Sequence, residues 1–134
     1  MDNPLRAMWS GRLGSKHFII LLIAFWVVGR LQAYVVPTNI PLLNSLIGMC
    51  LVVLFSGVMT RRLNDFNGEP RIAYIVLLPP LFSFLGWGFM AGFTGIAVML
   101  ASIVIAVIPG TFGVNRHGAQ PKGPMKFKTM LFGL

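Results

Sequence analysis

Four apolar stretches, separated by short turns and basic blocks, fill most of this chain and leave it few folds to choose from. They occupy residues 17–36, 42–60, 72–89 and 95–108. A hydrocarbon core of about 30 Å is crossed by roughly 20 apolar helical residues. In lipid, every backbone polar group must be satisfied inside the protein, which favours helices. The chain has 134 residues, 56% hydrophobic and 10% charged. A soluble domain is ordinarily about 25% charged, so too few polar residues are present to cover a water-soluble globule. The pattern predicts an all-α integral membrane protein, an antiparallel four-transmembrane-helix bundle. The expected divisions are an N-terminal segment at 1–16, a transmembrane domain at 17–108 and a tail at 109–134.

Charge supplies the orientation. The net charge is +8, from 11 basic and 3 acidic residues. Arg6, Arg12 and Lys16 precede the first stretch. Arg61, Arg62 and Arg71 follow the second, and Arg116, Lys122, Lys126 and Lys128 follow the fourth. Four crossings put all of them on one side, and the positive-inside rule makes that side cytoplasmic, with both termini. A soluble protein this basic would suggest nucleic acid. Beside a membrane the expected partners are membrane lipids, with anionic headgroups on the cytoplasmic side, and not nucleic acid. Arg30, inside the first stretch, is the exception. It either snorkels to the outer headgroups or lines a polar path.

The first stretch follows Arg12 and Lys16 like a signal peptide, but no small-x-small site closes it, so it reads as a retained anchor. Asn3-Pro4 is a helix start, and a short interfacial helix over 4–10 would hold Trp9 at headgroup depth. Cys50 excludes an internal disulfide and reads as a small buried hydrophobe. Small residues let membrane helices approach closely. Ser45, Gly48, Ser56 and Gly57 of the second stretch, and Ala97, Ala101, Ser102 and Ala106 of the fourth, are expected to face neighbours. Pro79-Pro80 breaks the third stretch, as a kink or a hinge. Residues 90–94 read as a tight connection, and 61–71 as a polar loop containing the turn dipeptide Asn67-Gly68.

Three basic blocks, GRLGSKHF from Gly11, RRLND from Arg61 and PGTFGVNRHGAQPKG from Pro109, occur in this order around the apolar stretches. Together they resemble the bacterial inner-membrane family known as domain of unknown function 805 (DUF805), over residues 7–123. The matching positions are Gly11, Arg12, Ser15, Lys16 and Phe18, then Arg61, Arg62, Leu63 and Asp65. The third block contributes Pro109, Gly110, Thr111, Gly113, Asn115, Arg116 and Gly118. Asn64 stands where the family often has His, His117 where it often has Tyr, and Val114 where Pro is common. The resemblance implies an inner-membrane location and this architecture. It implies no activity, because the family has none assigned.

Read physically, Arg61 and Arg62 sit where cations favour the end of a helix, and Asp65 lies one turn beyond Arg61, placed to pair with it. The 109–118 block is either a compact cap on the bundle or a loop whose free N–H groups hold a phosphate. Arg61, Arg62, Asp65, Asn115 and Arg116 are therefore the expected polar cluster, structural or in contact with lipid headgroups. Catalysis has little to work with. His17 and His117 lack metal-spaced partners, Asp2, Asp65 and Glu69 are the only carboxylates, and no cofactor is expected. The function expected is that of a non-enzymatic accessory or structural subunit of a larger inner-membrane complex, beside other integral membrane subunits. A small oligomeric transporter or channel, suggested by Arg30 and Pro79-Pro80, is the alternative. An enzyme acting on lipid at the 61–65 and 116–117 face is a third. In the tail, Phe127, Met130, Leu131 and Phe132 form an apolar surface too short to span, expected to dock on a partner or lie in the inner leaflet.

Overall fold

The computed structural model describes residues 7–37, 39–121 and 124–133. The expected helix start at Asn3-Pro4, and the basic residues Arg6 and Lys122, lie outside them. Among the described residues the chain is helical and without strands, apart from an isolated bridge between Asn115 and Gly118. Helix α1 spans Ser15–Val35 and α2 Pro41–Asp65. A 3-10 helix, Pro70–Leu77, runs directly into α3, Leu78–Phe84. Helix α4 spans Gly88–Val107 and α5 Phe127–Phe132. At 21, 25 and 20 residues, α1, α2 and α4 are long and apolar enough to cross a membrane. The third apolar stretch is instead a shorter compound helix, with 8 residues in 3-10 form and 7 in α3.

Two boundaries differ from the sequence reading. Helix α2 does not stop at residue 60 but continues through Asp65, so Arg61, Arg62 and Asp65 are helical rather than in a loop. Arginine is a good helix former, so the charges that mark a membrane edge need not mark a helix end. The helix closes a turn later. Asn67 takes a left-handed φ of 58°, the Gly68 N–H reaches the Leu63 carbonyl at 2.9 Å, and the Asn67 N–H reaches that of Asn64 at 3.4 Å. This is a Schellman ending. The second difference is the connection expected at 90–94, which lies within α4. The turn falls earlier, at 85–87, with Gly86 at φ +76°. Glycine is well tolerated in membrane helices, so Gly92 and Gly95 do not interrupt one.

Pro79 and Pro80 sit in the first turn of α3, where their missing donors have no intrahelical partner to lose. The Ile75 carbonyl just before them accepts the Leu78 N–H. The pair marks the passage from 3-10 to α geometry.

Burial concentrates at one end of the bundle. Every residue of α2 from Ser56 to Asp65 is buried. Around it pack Leu13, Phe18 and Leu21 from the first block and α1, and Ala73 and Val76 from the 3-10 helix. Ile105 and Ala106 of α4 and Met130 of α5 complete this core. Phe55 meets Phe25 edge-on at 5.2 Å and stacks on Phe18 at 6.4 Å. Toward the other end Trp26, Leu31, Tyr34, Leu42, Phe84 and Phe89 are all exposed. An apolar surface of this extent suits lipid rather than water.

The small residues divide along the same line. Ser56, Gly57, Ser102 and Ala106 are buried, Gly48 and Ala101 half-buried, and Ser45 and Ala97 exposed. Gly57 is needed as glycine, because a Cβ there would lie 2.8 Å from the Met8 carbonyl oxygen. Cys50, expected to be buried, is exposed on α2. Arg30 is exposed on α1 with its guanidinium 5.6 Å from the Trp26 ring centre.

Candidate functional site

Three chain segments that are distant in sequence meet where α2 ends. Asp65, its last residue, holds them. Arg12 Nη2 lies 2.9 Å from Asp65 Oδ1, and Arg12 Nε donates to the same oxygen at 3.0 Å. Arg62 Nη1 donates to Oδ2. The three side chains are 1%, 0% and 5% exposed, for Arg12, Arg62 and Asp65. The expected pair between Arg61 and Asp65 does not form. Arg62, three residues before Asp65 on the same helix face, reaches the carboxylate instead, and Arg61 turns to another segment.

Two guanidiniums on one carboxylate leave excess positive charge in a buried place, where charge is costly unless hydrogen-bonded. Helix ends absorb it. The last carbonyls of a helix lack intrahelical partners and carry the negative end of its dipole. Arg62 Nε donates to the Ile105 carbonyl at 3.1 Å and Nη2 to that of Ile108, both at the end of α4. Ser15 Oγ takes the Ala106 carbonyl between them. Arg61 does the same for α5, reaching the carbonyls of Thr129 at 2.9 Å, Leu131 at 3.0 Å and Met130. Arg12 donates to the Asp65 carbonyl at 3.3 Å, to Gly113 at 2.6 Å, and to Thr111. Each of the three arginines thus caps the end of a different helix, α2, α4 or α5.

The third block folds onto this end. The Thr111 N–H and Oγ1–H both reach the Asp65 carbonyl at 2.9 Å. Asn115 Nδ2 donates to the Asn64 carbonyl at 3.0 Å and to Thr111 Oγ1 at 2.8 Å, while its Oδ1 accepts the His117 N–H. Gly110 passes so close that a Cβ would overlap the Asp65 carboxylate. The phosphate-loop alternative loses part of its donor set here. The N–H groups of Thr111, Gly113, Asn115, His117 and Gly118 are all bonded within the protein.

The expected cluster is therefore brought together in part. Arg62, Asp65 and Asn115 lie in the knot. Arg116 lies at its exposed margin, donating at 3.2 Å to the carbonyls of Asn67 and Gly68. Arg61 is buried nearby but serves the tail. Arg12, Gly110 and Thr111 were missed as site residues although all three belong to the motif blocks; the signal was their co-occurrence with Asp65 in ordered motifs. The tail residues divide as well. Met130 packs into the chain's own core, Leu131 and Phe132 are half-buried, and Phe127 is 58% exposed. Helix α5 docks on this chain, an outcome the sequence reading did not weigh.

Chemically, the knot holds segments together. Both Asp65 oxygens accept hydrogen bonds from guanidinium groups. Among the described residues no group of three or more His, Cys, Asp or Glu side chains is placed to hold a metal. His117 is held below its ordinary pKa, first by partial burial and then by the charges of Arg116 and Arg12. Its Nε2 accepts from Arg116 Nε at 3.0 Å, a bond only the unprotonated nitrogen can receive. No family model, curated protein or solved structure matches this chain.

Proposed function

We propose that the chain is a non-enzymatic accessory or structural subunit of a larger complex in the bacterial inner membrane, crossing four times with both termini cytoplasmic. The observation that carries the reading is the use made of the polar side chains. Arg12, Arg61, Arg62, Asp65, Thr111 and Asn115 are bonded to one another and to helix-end carbonyls, which leaves this cluster no free acid, base or nucleophile.

The four-crossing topology draws support from geometry. Arg12, Asp65 and Thr111 meet at one end, so α2 and α4 both terminate there. The segment between them must travel away from that end before α4 returns. Eight residues at about 2.0 Å and seven at about 1.5 Å reach about 26 Å, against about 22 Å for an α-helix of that length. The 3-10 form brings a short segment near the roughly 30 Å needed. The resemblance to the DUF805 family favours the same topology and location.

The transporter alternative requires a path between copies of the chain. Arg30 is exposed on α1, so it does not line a path within a single chain. Purification from the native membrane in mild detergent tests the proposal. A complex containing a second integral membrane protein in fixed proportion is the expected result. A homo-oligomer that conducts ions in liposomes would replace the accessory reading with the transporter.

A further inference from the structure

We infer that Arg30 marks a binding site for the phosphate of an anionic phospholipid, at the end of the bundle opposite the arginine knot. The inference rests on the reading that α1 spans a membrane.

Arg30 is a cation without a protein anion. Among the described residues the carboxylates are Asp65, held by two arginines, and Glu69, beside Arg71. Both lie at the knot end. Arg30 lies about 22 Å along α1 from Ser15 and about 8 Å short of Val35, at 1.5 Å per residue. That places its Cα near the edge of the hydrocarbon, with its stem long enough to lift the guanidinium to phosphate depth.

The surroundings have the shape and chemistry of a lipid seat. A largely open hollow of about 310 Å³ on one face of α1 is lined by Trp26, Val27, Arg30, Leu31 and Tyr34. Trp26 lies beneath the guanidinium, 5.6 Å from ring centre to Cζ. That contact holds the group against the helix and leaves its N–H fork open. The fork matches two phosphate oxygens. Tyr34, 84% exposed, adds a hydroxyl at the rim. Trp26, Val27 and Leu31 give an acyl chain an apolar wall. A zwitterionic headgroup would bring its own cation to a place with no carboxylate to receive it. The site therefore favours a lipid with net negative charge.

The test uses Trp26 as reporter. The chain has three tryptophans, so W9F/W87F leaves Trp26 alone. The variant is reconstituted in phosphatidylcholine containing a minor fraction of bromoacyl phosphatidylglycerol, or the same fraction of bromoacyl phosphatidylcholine. Brominated phosphatidylglycerol should quench Trp26 more strongly, and adding R30Q should remove the excess. Equal quenching by the two lipids, or an excess that survives R30Q, overturns the site. Quenching by neither overturns the spanning assignment of α1 on which the site rests. Native mass spectrometry of the protein with all its tryptophans gives a second reading. R30Q should retain one phosphatidylglycerol fewer than the parent, and an unchanged count overturns the proposal.

Discussion

Asp65 is a single carboxylate between two buried arginines, and its removal strands both. Breaking a buried pair by deleting one partner costs about 3–5 kcal/mol, because a charge is left uncompensated. Asp65→Ala should therefore lower unfolding free energy in detergent by about that amount. Arg62 is one of the two arginines on that carboxylate. Its side chain is fully buried and serves Asp65, Ile105, Ile108 and Leu13 together, so Arg62→Ala should cost a similar amount. Lysine cannot reproduce that fork, and Arg62→Lys should rescue little in the same measurement. His117 adds a pH dependence. Its folded pKa is lowered, so below its unfolded value, about 6.5, the unfolded chain binds more protons than the folded one. Its contribution is present above that value and is lost as pH falls toward the lower folded value. The melting midpoint of the parent should fall further on acidification than that of His117→Gln.

Among the elements, α5 depends on the fewest interactions. It has six residues, too short to be stable alone in water. What holds it is Met130 in the core and Arg61 on its last carbonyls. Gly133, in a left-handed conformation at its end, lies where a Cβ would overlap the Ala7 carbonyl oxygen, which ties the tail to the N-terminal segment. Arg61→Gln should free α5 while α1, α2 and α4 remain inserted. Trypsin cleavage after Lys126 and Lys128 should then accelerate, with the helical content of the rest unchanged by circular dichroism; unaltered cleavage would show that Met130 alone suffices. How much of this was legible in the sequence differs by element. The apolar runs gave α1 almost to the residue, because lipid leaves helix as the stable choice. The end of α2 was misplaced because charge marks the membrane edge, whereas the helix ends at the αL turn of Asn67. The knot was half legible. Asp65 and Asn115 stood out as polar residues in ordered motifs. Arg12 did not, since it lies 53 residues from Asp65 in sequence and its other partners are mostly carbonyls, and backbone acceptors leave no trace in residue type.

At the scale of the molecule, the bundle is closed at one end and open to its surroundings at the other. The knot, the N-terminal segment and α5 surround α2 at the closed end, and the exposed basic residues Lys16, Arg71, Arg116, Lys126 and Lys128 lie in segments at or beside that end. The opposite end carries exposed Trp26, Tyr34, Phe84 and Trp87 and one cation, Arg30. Under the proposed topology the positive-inside rule assigns the basic end to the cytoplasm. The connection between α1 and α2 and the turn at 85–87 would then face the other compartment. Reporter fusions after Gly68 and after Leu134 should both read cytoplasmic, and one at Asn39 should read external. The compound helix Pro70–Phe84 is the decisive element, because it is the shortest passage. If it re-enters and returns without crossing, α4 is carried the other way and the fusion after Leu134 reads external. The knot opposes that outcome. Thr111 and Asn115 are bonded to the end of α2, so the end of α4 cannot lie on the far side of the membrane without breaking every bond between the second and third blocks. An external reading at Leu134 with no crosslink between cysteines at positions 64 and 115 would overturn both the four crossings and the knot; a cytoplasmic reading with that crosslink formed is the expected result.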